Sequence, residues 1–258
     1  MTKQILKDKV AVITGGTTGI GLATAKLFVA HGAKIIIAGR RRKEGELALK
    51  ELGTIANTVD FIETDVSKKH EVQNLINATV SAYGRLDIAF NNAGIEGRFA
   101  PINTLEEEDY DAVMDINTKG VWLSCKYQIE QFRKQGTGGS IINTSSWLAV
   151  GAFSGSALYS ASKAALEGMT RALAVEVAAD NIRINNIQPG YIQTPMFDRF
   201  FKDDNAKQPL LKQAPLNRFG TSNDVAQLVL WLATTPASFI TGTSIPIDGG
   251  LAIPGQRS

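Results

Sequence analysis

The stretch from Lys9 to Val29 constrains this chain more than any other. Lys9-Val10-Ala11-Val12-Ile13-Thr14 is a short apolar run, a glycine-rich turn follows, and an amphipathic pattern continues from Ile20 to Val29. An apolar run closed by glycines reads as a buried strand, and the 3.6-residue period after it reads as a helix. Strand, tight turn and helix in that order point to an α/β fold. The turn, Thr14-Gly15-Gly16-Thr17-Thr18-Gly19-Ile20-Gly21, places glycines where backbone approaches a ligand closely, before a helix N-terminus whose free N–H groups and dipole attract phosphate. Its spacing departs from G-x-G-x-x-G. Such a turn can also be a plain tight connection. Its position between strand and helix favours a nucleotide site, with Gly15, Thr17, Thr18, Gly19 and Ile20 as candidate contacts.

The alternation continues. A second strand, Lys34 to Ala38, ends at Gly39-Arg40-Arg41, and Arg42 to Leu52 returns as a helix. At the end of the second strand a dinucleotide fold reads the ribose 2′ position, where an acid binds the hydroxyl of NAD and arginine accommodates the phosphate of NADP. Arg40 and Arg41 therefore favour NADP(H), with NAD(H) the alternative, since arginines at a helix start also serve as solvated charge. Val59 to Val66 reads as a third strand running into a loop; Asp65 either accepts from an adenine amino group or caps the next helix, and Val66 lies beside it. His70 to Tyr83 is helical, and Leu86 to Phe90 is a fourth strand leading to Asn91-Asn92-Ala93-Gly94. Asn92, Ala93 and Gly94 suit backbone contacts to a cofactor or a plain turn.

Thr104 with Glu107 three residues later marks a helix start, and the helical pattern runs past Asn117 toward Gln135. Asparagine in a helix interior predicts a local bend or a bound water. Ile141 to Thr144 is a fifth strand, Trp147 to Leu158 an irregular loop, and the following helix, through Ala178, is expected to be mostly buried. Arg183 to Ile187 is the sixth strand, and Pro189 to Pro195 a turn. Met196 to Phe219 has no clean period, as in a lid or binding loop, so the segment at about 192–219 is the expected substrate loop. A helix near Asn223 to Ala233 and a strand near Ser244 to Ile247 close the pattern. The expected fold is a single α/β domain spanning 1–258, a Rossmann-type doubly wound parallel sheet of about seven strands.

Composition excludes several classes of partner. A net charge of +2 and the short Arg40-Arg41-Arg42-Lys43 run give no nucleic-acid surface, and no apolar run reaches the ~18 residues of a membrane span. One cysteine, Cys125, allows no internal disulfide and suits a reducing compartment, so a cytoplasmic protein is expected. His31 and His70 stand apart from any ligand cluster, and no metal site is expected.

Tyr159-Ser160-Ala161-Ser162-Lys163 places a phenol and an ammonium four residues apart at a helix start, on one face. A cation held close favours the phenolate, which makes Tyr159 a candidate proton donor and acceptor. With this pair the whole chain resembles the short-chain dehydrogenase/reductase family. Thr14, Gly15, Gly19 and Gly21 match its phosphate loop, Asn91 to Gly94 its Asn-Asn-Ala-Gly stretch, and Tyr159 with Lys163 its Tyr-x-x-x-Lys. Ser146, thirteen residues before Tyr159, matches its serine, and Asn117 the asparagine of its long interface helix; Pro189, Gly190, Ile192 and Thr194 fall in the stretch around the nicotinamide.

The resemblance implies hydride transfer between NADP(H) and a ketone or secondary alcohol. Tyr159 would move the oxygen-bound proton, Ser146 would hydrogen-bond that oxygen, Lys163 would lower the tyrosine pKa and bind the ribose, and Asn117 would hold a water beside Lys163. An NAD(H)-dependent relative, a non-catalytic dinucleotide sensor, or dehydration or epimerisation on the same scaffold are the rival readings. Ile95, Glu96, Phe153, Tyr191, Met196, Phe197 and Phe200 are candidates for a pocket that takes apolar or aromatic ketones. A homotetramer is implied too, with Val121, Trp122, Leu166, Met169 and Leu173 available for an interface or for monomer core.

Overall fold

The structure, a computed structural model, describes residues 4–53, 58–201 and 203–253. The first half runs β1 (Val10–Thr14), α1 (Gly19–Ala30), β2 (Lys34–Gly39), α2 (Arg42–Leu52), β3 (Val59–Glu63), α3 (Lys69–Tyr83) and β4 (Ile88–Asn91). The second runs α4 (Glu107–Met114), α5 (Gly120–Gln135), β5 (Gly139–Thr144), α6 (Ala157–Val177) and β6 (Ile182–Pro189), then β7 (Ile192–Gln193), α7 (Pro195–Phe200), α8 (Asp204–Leu211), β8 (Gly220–Thr221), α9 (Ser222–Leu232) and β9 (Ser244–Ile247). Seven strands form one parallel sheet in the order β3-β2-β1-β4-β5-β6-β9, while β7 and β8 pair by themselves. Strand order reverses between β1 and β4, and a crevice opens at the carboxyl ends there. The doubly wound sheet is as expected.

Successive side chains of a strand point to opposite faces, and here both faces are covered, which is why the strands read as unbroken apolar runs. On β1, Val12 packs with Ile36, Ala89, Ile141 and Ile184 against Leu75 of α3, Phe132 of α5 and Leu166 of α6. Ala11 and Ile13 face the other way, with Ile35, Ile37, Phe90 and Ile142, against Phe28 of α1, Ala48 of α2 and Val229 of α9.

The structure refines several of these expectations. The helix expected at Thr104 begins instead at Glu107, because Glu106 and Asp109 form the capping box and Thr104 only closes a short 3₁₀ turn. At Asn117, where a local bend or a bound water is expected, the helix carries a π-helical turn, Asp115–Lys119, joining α4 to α5. α6 is not mostly buried: Ser162, Lys163, Leu166, Thr170, Ala174 and Val177 form one buried stripe, while Val175 is 84% exposed. Among the proposed interface residues, Val121 and Leu166 are consumed by the core, Met169 and Leu173 pack against it, and Trp122 is half exposed. The 192–219 segment forms two short helices, α7 and α8, whose local turns are set by the Thr194 and Asp203 caps; residue 202 lies outside the described residues.

Candidate active site

A cleft of about 990 Å³ lies over the carboxyl ends of β1, β2, β4, β5 and β6. One end is made of backbone. Gly15, Thr17, Thr18, Gly19 and Ile20 line it, where β1 turns into α1. Gly15 has φ +63°, and a Cβ there would come within 2.9 Å of Ala93 Cα, so the turn needs glycine to pass beside the β4 end. At the start of α1, Thr18 makes no side-chain cap and the first turn carries no acid. α9 differs: its N-terminus is closed by Thr221 and Asp224 in a full capping box. The first N–H groups of α1 are thus left for an anion in the cleft, which is the donor set a dinucleotide pyrophosphate takes.

Thr14 Oγ1 accepts the N–H groups of Asn92 (3.1 Å) and Ala93 (3.2 Å), and Asn92 Nδ2 donates to the Gly15 carbonyl at 3.1 Å. Thr144 Oγ1 donates to Asn92 Oδ1 at 3.1 Å. Asn92 lines the cleft, but its amide is engaged in knotting β1, β4 and β5 together. Ala93 and Gly94 line the cleft with it, as do Val66, Pro189, Gly190, Ile192 and Thr194. Asp65 does not: its carboxylate accepts from the N–H (3.0 Å) and hydroxyl (2.8 Å) of Ser67, closing a local turn, and it does not cap the next helix, whose N-cap is Lys68.

At the end of β2, Arg40 and Arg41 both border the cleft. Arg41 is paired with Glu44 at 3.1 Å and Arg42 with Glu63 at 3.1 Å, whereas Arg40 has no ion pair among the described residues. Glu44, which also lines the cleft, escaped the sequence reading, although its i,i+3 spacing from Arg41 was visible there.

The catalytic candidates meet in the middle. Ser146, Tyr159 and Lys163 line the cleft together. Burial pushes the Tyr159 phenol up to about 12; the nearby Ser146 hydroxyl works the other way, and the charge of Glu96 adds to the rise. Lys163 Nζ donates to the Thr144 carbonyl at 2.8 Å and sits 5.7 Å from the Tyr159 ring centre, and burial brings its ammonium down to about 8. Desolvation is the largest influence on this phenol. A Cβ on Gly94 would lie 3.2 Å from Asn117 Oδ1 and 3.4 Å from Lys163 Nζ, so the bare glycine lets the three meet.

Asn117 is fully buried and does not line the cleft. Its Oδ1 accepts the Ile95 N–H at 2.9 Å, and its Nδ2 donates to the Ile95 carbonyl (2.9 Å) and to Ser162 Oγ (3.1 Å). Its side chain clamps the loop after β4 onto α6.

The other end of the cleft is built of side chains. Phe99 packs on Tyr159 (5.9 Å between ring centres), Phe153 (6.2 Å) and Phe200 (4.8 Å). Tyr191 packs on Trp147 at 5.5 Å and Phe197 at 6.2 Å. Arg199 of α7 grips Glu96 through two bonds, Nε–Oε1 at 2.9 Å and Nη2–Oε2 at 3.1 Å, bridging this end. Ile95, Glu96, Phe153, Tyr191, Met196, Phe197 and Phe200 all line the cleft as expected. Phe99, Trp147 and Arg199 were missed, because no short pattern marks contacts that join residues as distant as 96 and 199.

The chain matches the family described as enoyl-(acyl carrier protein) reductase over residues 15–252. It is 39% identical over 248 residues to a 3-oxoacyl-[acyl-carrier-protein] reductase of Thermotoga maritima, covering 96% of this chain and 99% of that protein. It is 36% identical to a 2,5-dichloro-2,5-cyclohexadiene-1,4-diol dehydrogenase of Sphingobium indicum, covering 95% and 97%. A short-chain type dehydrogenase/reductase from Mycobacterium marinum superposes with a TM-score of 0.91 at 31% identity, covering 97% and 98%. No helix among the described residues is long and apolar enough to cross a membrane. This chain belongs to the short-chain dehydrogenase/reductase family and is an NAD(P)-dependent oxidoreductase acting on C=O and CH–OH groups.

Proposed function

We propose that the enzyme reduces a compact, ring-bearing ketone to a secondary alcohol with NADPH. The observation that carries this reading is Tyr159, a half-buried phenol whose pKa burial raises, set beside Ser146 and against Phe99 at the aromatic end of the cleft. When bound, the nicotinamide cofactor contributes the hydride. Tyr159 gives its proton to the carbonyl oxygen, Ser146 hydrogen-bonds that oxygen as charge develops, and the Lys163 ammonium steadies the phenolate left behind. Aromatic walls favour a flat or ring-shaped substrate over a long flexible chain. One relative acts on a cyclohexadiene diol by its name, which agrees with this choice; another acts on an acyl-carrier-protein substrate, which is the competitor.

Arg40, left without an acidic partner among the described residues, is the residue proposed to take the 2′-phosphate of NADP. Backbone at Gly15, Thr17 to Ile20, Ala93, Gly94 and Gly190 is proposed to line the rest of the cofactor, and residues 192–219 to form the substrate loop. Glu44 supports the second reading, NAD(H), since a carboxylate at this end suits a ribose hydroxyl. A homotetramer is proposed on the half-exposed Trp122 and fully exposed Phe239, and sedimentation giving a monomer at micromolar concentration would refute it. A cytoplasmic setting is proposed on the single buried thiol of Cys125.

The test is a fluorescence titration with NADPH and NADH, then turnover of cyclic ketones against linear 3-oxoacyl thioesters. Tighter NADPH binding and higher kcat/KM on cyclic ketones is the expected result. Preference for the thioesters would overturn the substrate reading and leave the reaction type standing.

A further inference from the structure

The face of α6 that presents Tyr159 and Lys163 to the cleft continues, four residues on, to Glu167. Glu167 makes no ion pair among the described residues; its two oxygens are taken by hydroxyls. Oε1 accepts from Ser145 Oγ at 2.6 Å, and Oε2 accepts from Ser244 Oγ. Ser145 is fully buried at the end of β5, immediately before Ser146, and its hydroxyl also lies 3.3 Å from the Lys163 carbonyl. Ser244 opens β9 and accepts from Asn186 Nδ2 at 3.1 Å. Asn186 in turn accepts from Thr170 Oγ1 at 2.7 Å, and Asn143 Nδ2 donates to Thr170 at 3.2 Å. The carboxylate thus ends a polar seam that runs beneath the site through β5, β6 and α6.

We propose that Glu167 is a positioning residue for the reaction: by gripping Ser145 and Ser244 together it fixes the β5 end that carries Ser146 against the helix that carries Tyr159 and Lys163. Two hydroxyl donors converging on one side chain need a group with two acceptor oxygens, which a carboxylate has and an amide lacks. Taking a carboxylate part-way out of water without a cation is costly, so the hydrogen bonds are what hold it there. Losing the grip lets the Ser145–Ser146 backbone shift, and displacements of order 1 Å in an active site cost up to about 100-fold in rate. Cofactor contacts at the opposite end of the cleft do not involve Glu167 and should not feel its loss.

The inference rests on Ser146, Tyr159 and Lys163 being the reacting groups, so Tyr159→Phe is run alongside. The experiment measures kcat, KM, NADPH affinity and Tm for Glu167→Ala, Ser145→Ala, their double variant and Glu167→Gln. Glu167→Ala is expected to lower kcat about 30-fold, a fraction of the 1 Å penalty, with NADPH affinity within about twofold. Glu167→Gln, which keeps one acceptor oxygen and so only one of the two grips, should fall between Glu167→Ala and the wild type. The double variant should be no slower than the worse single one, as for residues acting through one bond. Wild-type kcat in Glu167→Ala, additive losses in the double variant, or a rate loss matched by equal loss of NADPH affinity would each overturn the proposal. Substantial turnover by Tyr159→Phe would instead remove the catalytic assignment beneath it, whatever Glu167 does.

Discussion

The two ends of the cleft are built on opposite principles. At the α1 end the walls are backbone: the Gly15 turn, an uncapped helix start and the Ala93–Gly94 strand end. At the α7 end they are side chains, with Phe99 against Phe153 and Phe200, Tyr191 against Trp147 and Phe197, and Glu96 locked to Arg199. Backbone recognises what all dinucleotides share, phosphate and ribose, and tolerates little change. Side chains recognise what distinguishes one ketone from another, and they can be exchanged. Chemistry sits on the boundary, where Tyr159 touches Phe99 on one side and neighbours Lys163 on the other.

Changes at the boundary should be the most severe. Tyr159→Phe removes the proton and is expected to cut kcat about 1000-fold while NADPH affinity holds, as read by steady-state kinetics and titration. Parallel loss of affinity would place Tyr159 in the cofactor end instead. Next comes the cofactor end. Arg40→Asp exchanges a cation for an anion where the ribose phosphate is proposed to lie, and the NADPH-to-NADH ratio of kcat/KM should fall about 100-fold, combining a lost charge-assisted bond with new repulsion. An unchanged ratio would assign cofactor choice to Glu44 and Arg41.

The pH profile sharpens the same boundary. Lys163, brought down to about 8, is charged at pH 7 and mostly neutral at pH 9. Ketone reduction needs that charge beside the forming phenolate, so kcat should drop about tenfold across those two units. Alcohol oxidation needs Tyr159 deprotonated, and with the phenol pushed up to about 12 it should still be rising at pH 9. A reduction rate that stays level to pH 9 argues against a role for the ammonium. The smallest effect belongs to the substrate end: Phe99→Ala opens one wall and should raise KM for a cyclic ketone about fivefold, with little change in NADPH affinity. If both binding steps weaken together, the two ends are not separable.

How much of this was legible depended on how local the signal is. The Gly15–Gly21 turn, Asn92 to Gly94, and Tyr159 with Lys163 are short patterns whose spacing carries their geometry, and all but Asn117 and Asp65 of the named site residues line the cleft. Asp65 was ambiguous in principle, because one carboxylate serves equally as a turn cap and a ligand. Asn117 was placed at the right kink, but which partners its amide meets depends on Ile95 and Ser162, far away in the chain. The surroundings of Tyr159 were hidden for a similar reason. Spacing tells that Lys163 is near Tyr159; it does not tell that both are desolvated, or that Glu96 adds its charge.

By itself the sequence determined the alternation of strand and helix, the sheet with both faces buried and the place of the phosphate turn. Those follow from periodicity, glycine conformation and helix-end chemistry, which act over a few residues. Tertiary structure alone decided which arginine has no ion pair among the described residues, the desolvation of the tyrosine, the aromatic walls and the Glu96–Arg199 bridge. Each of these is a balance of burial and Coulomb energy among groups brought together from distant segments, and no local spacing records which groups will meet.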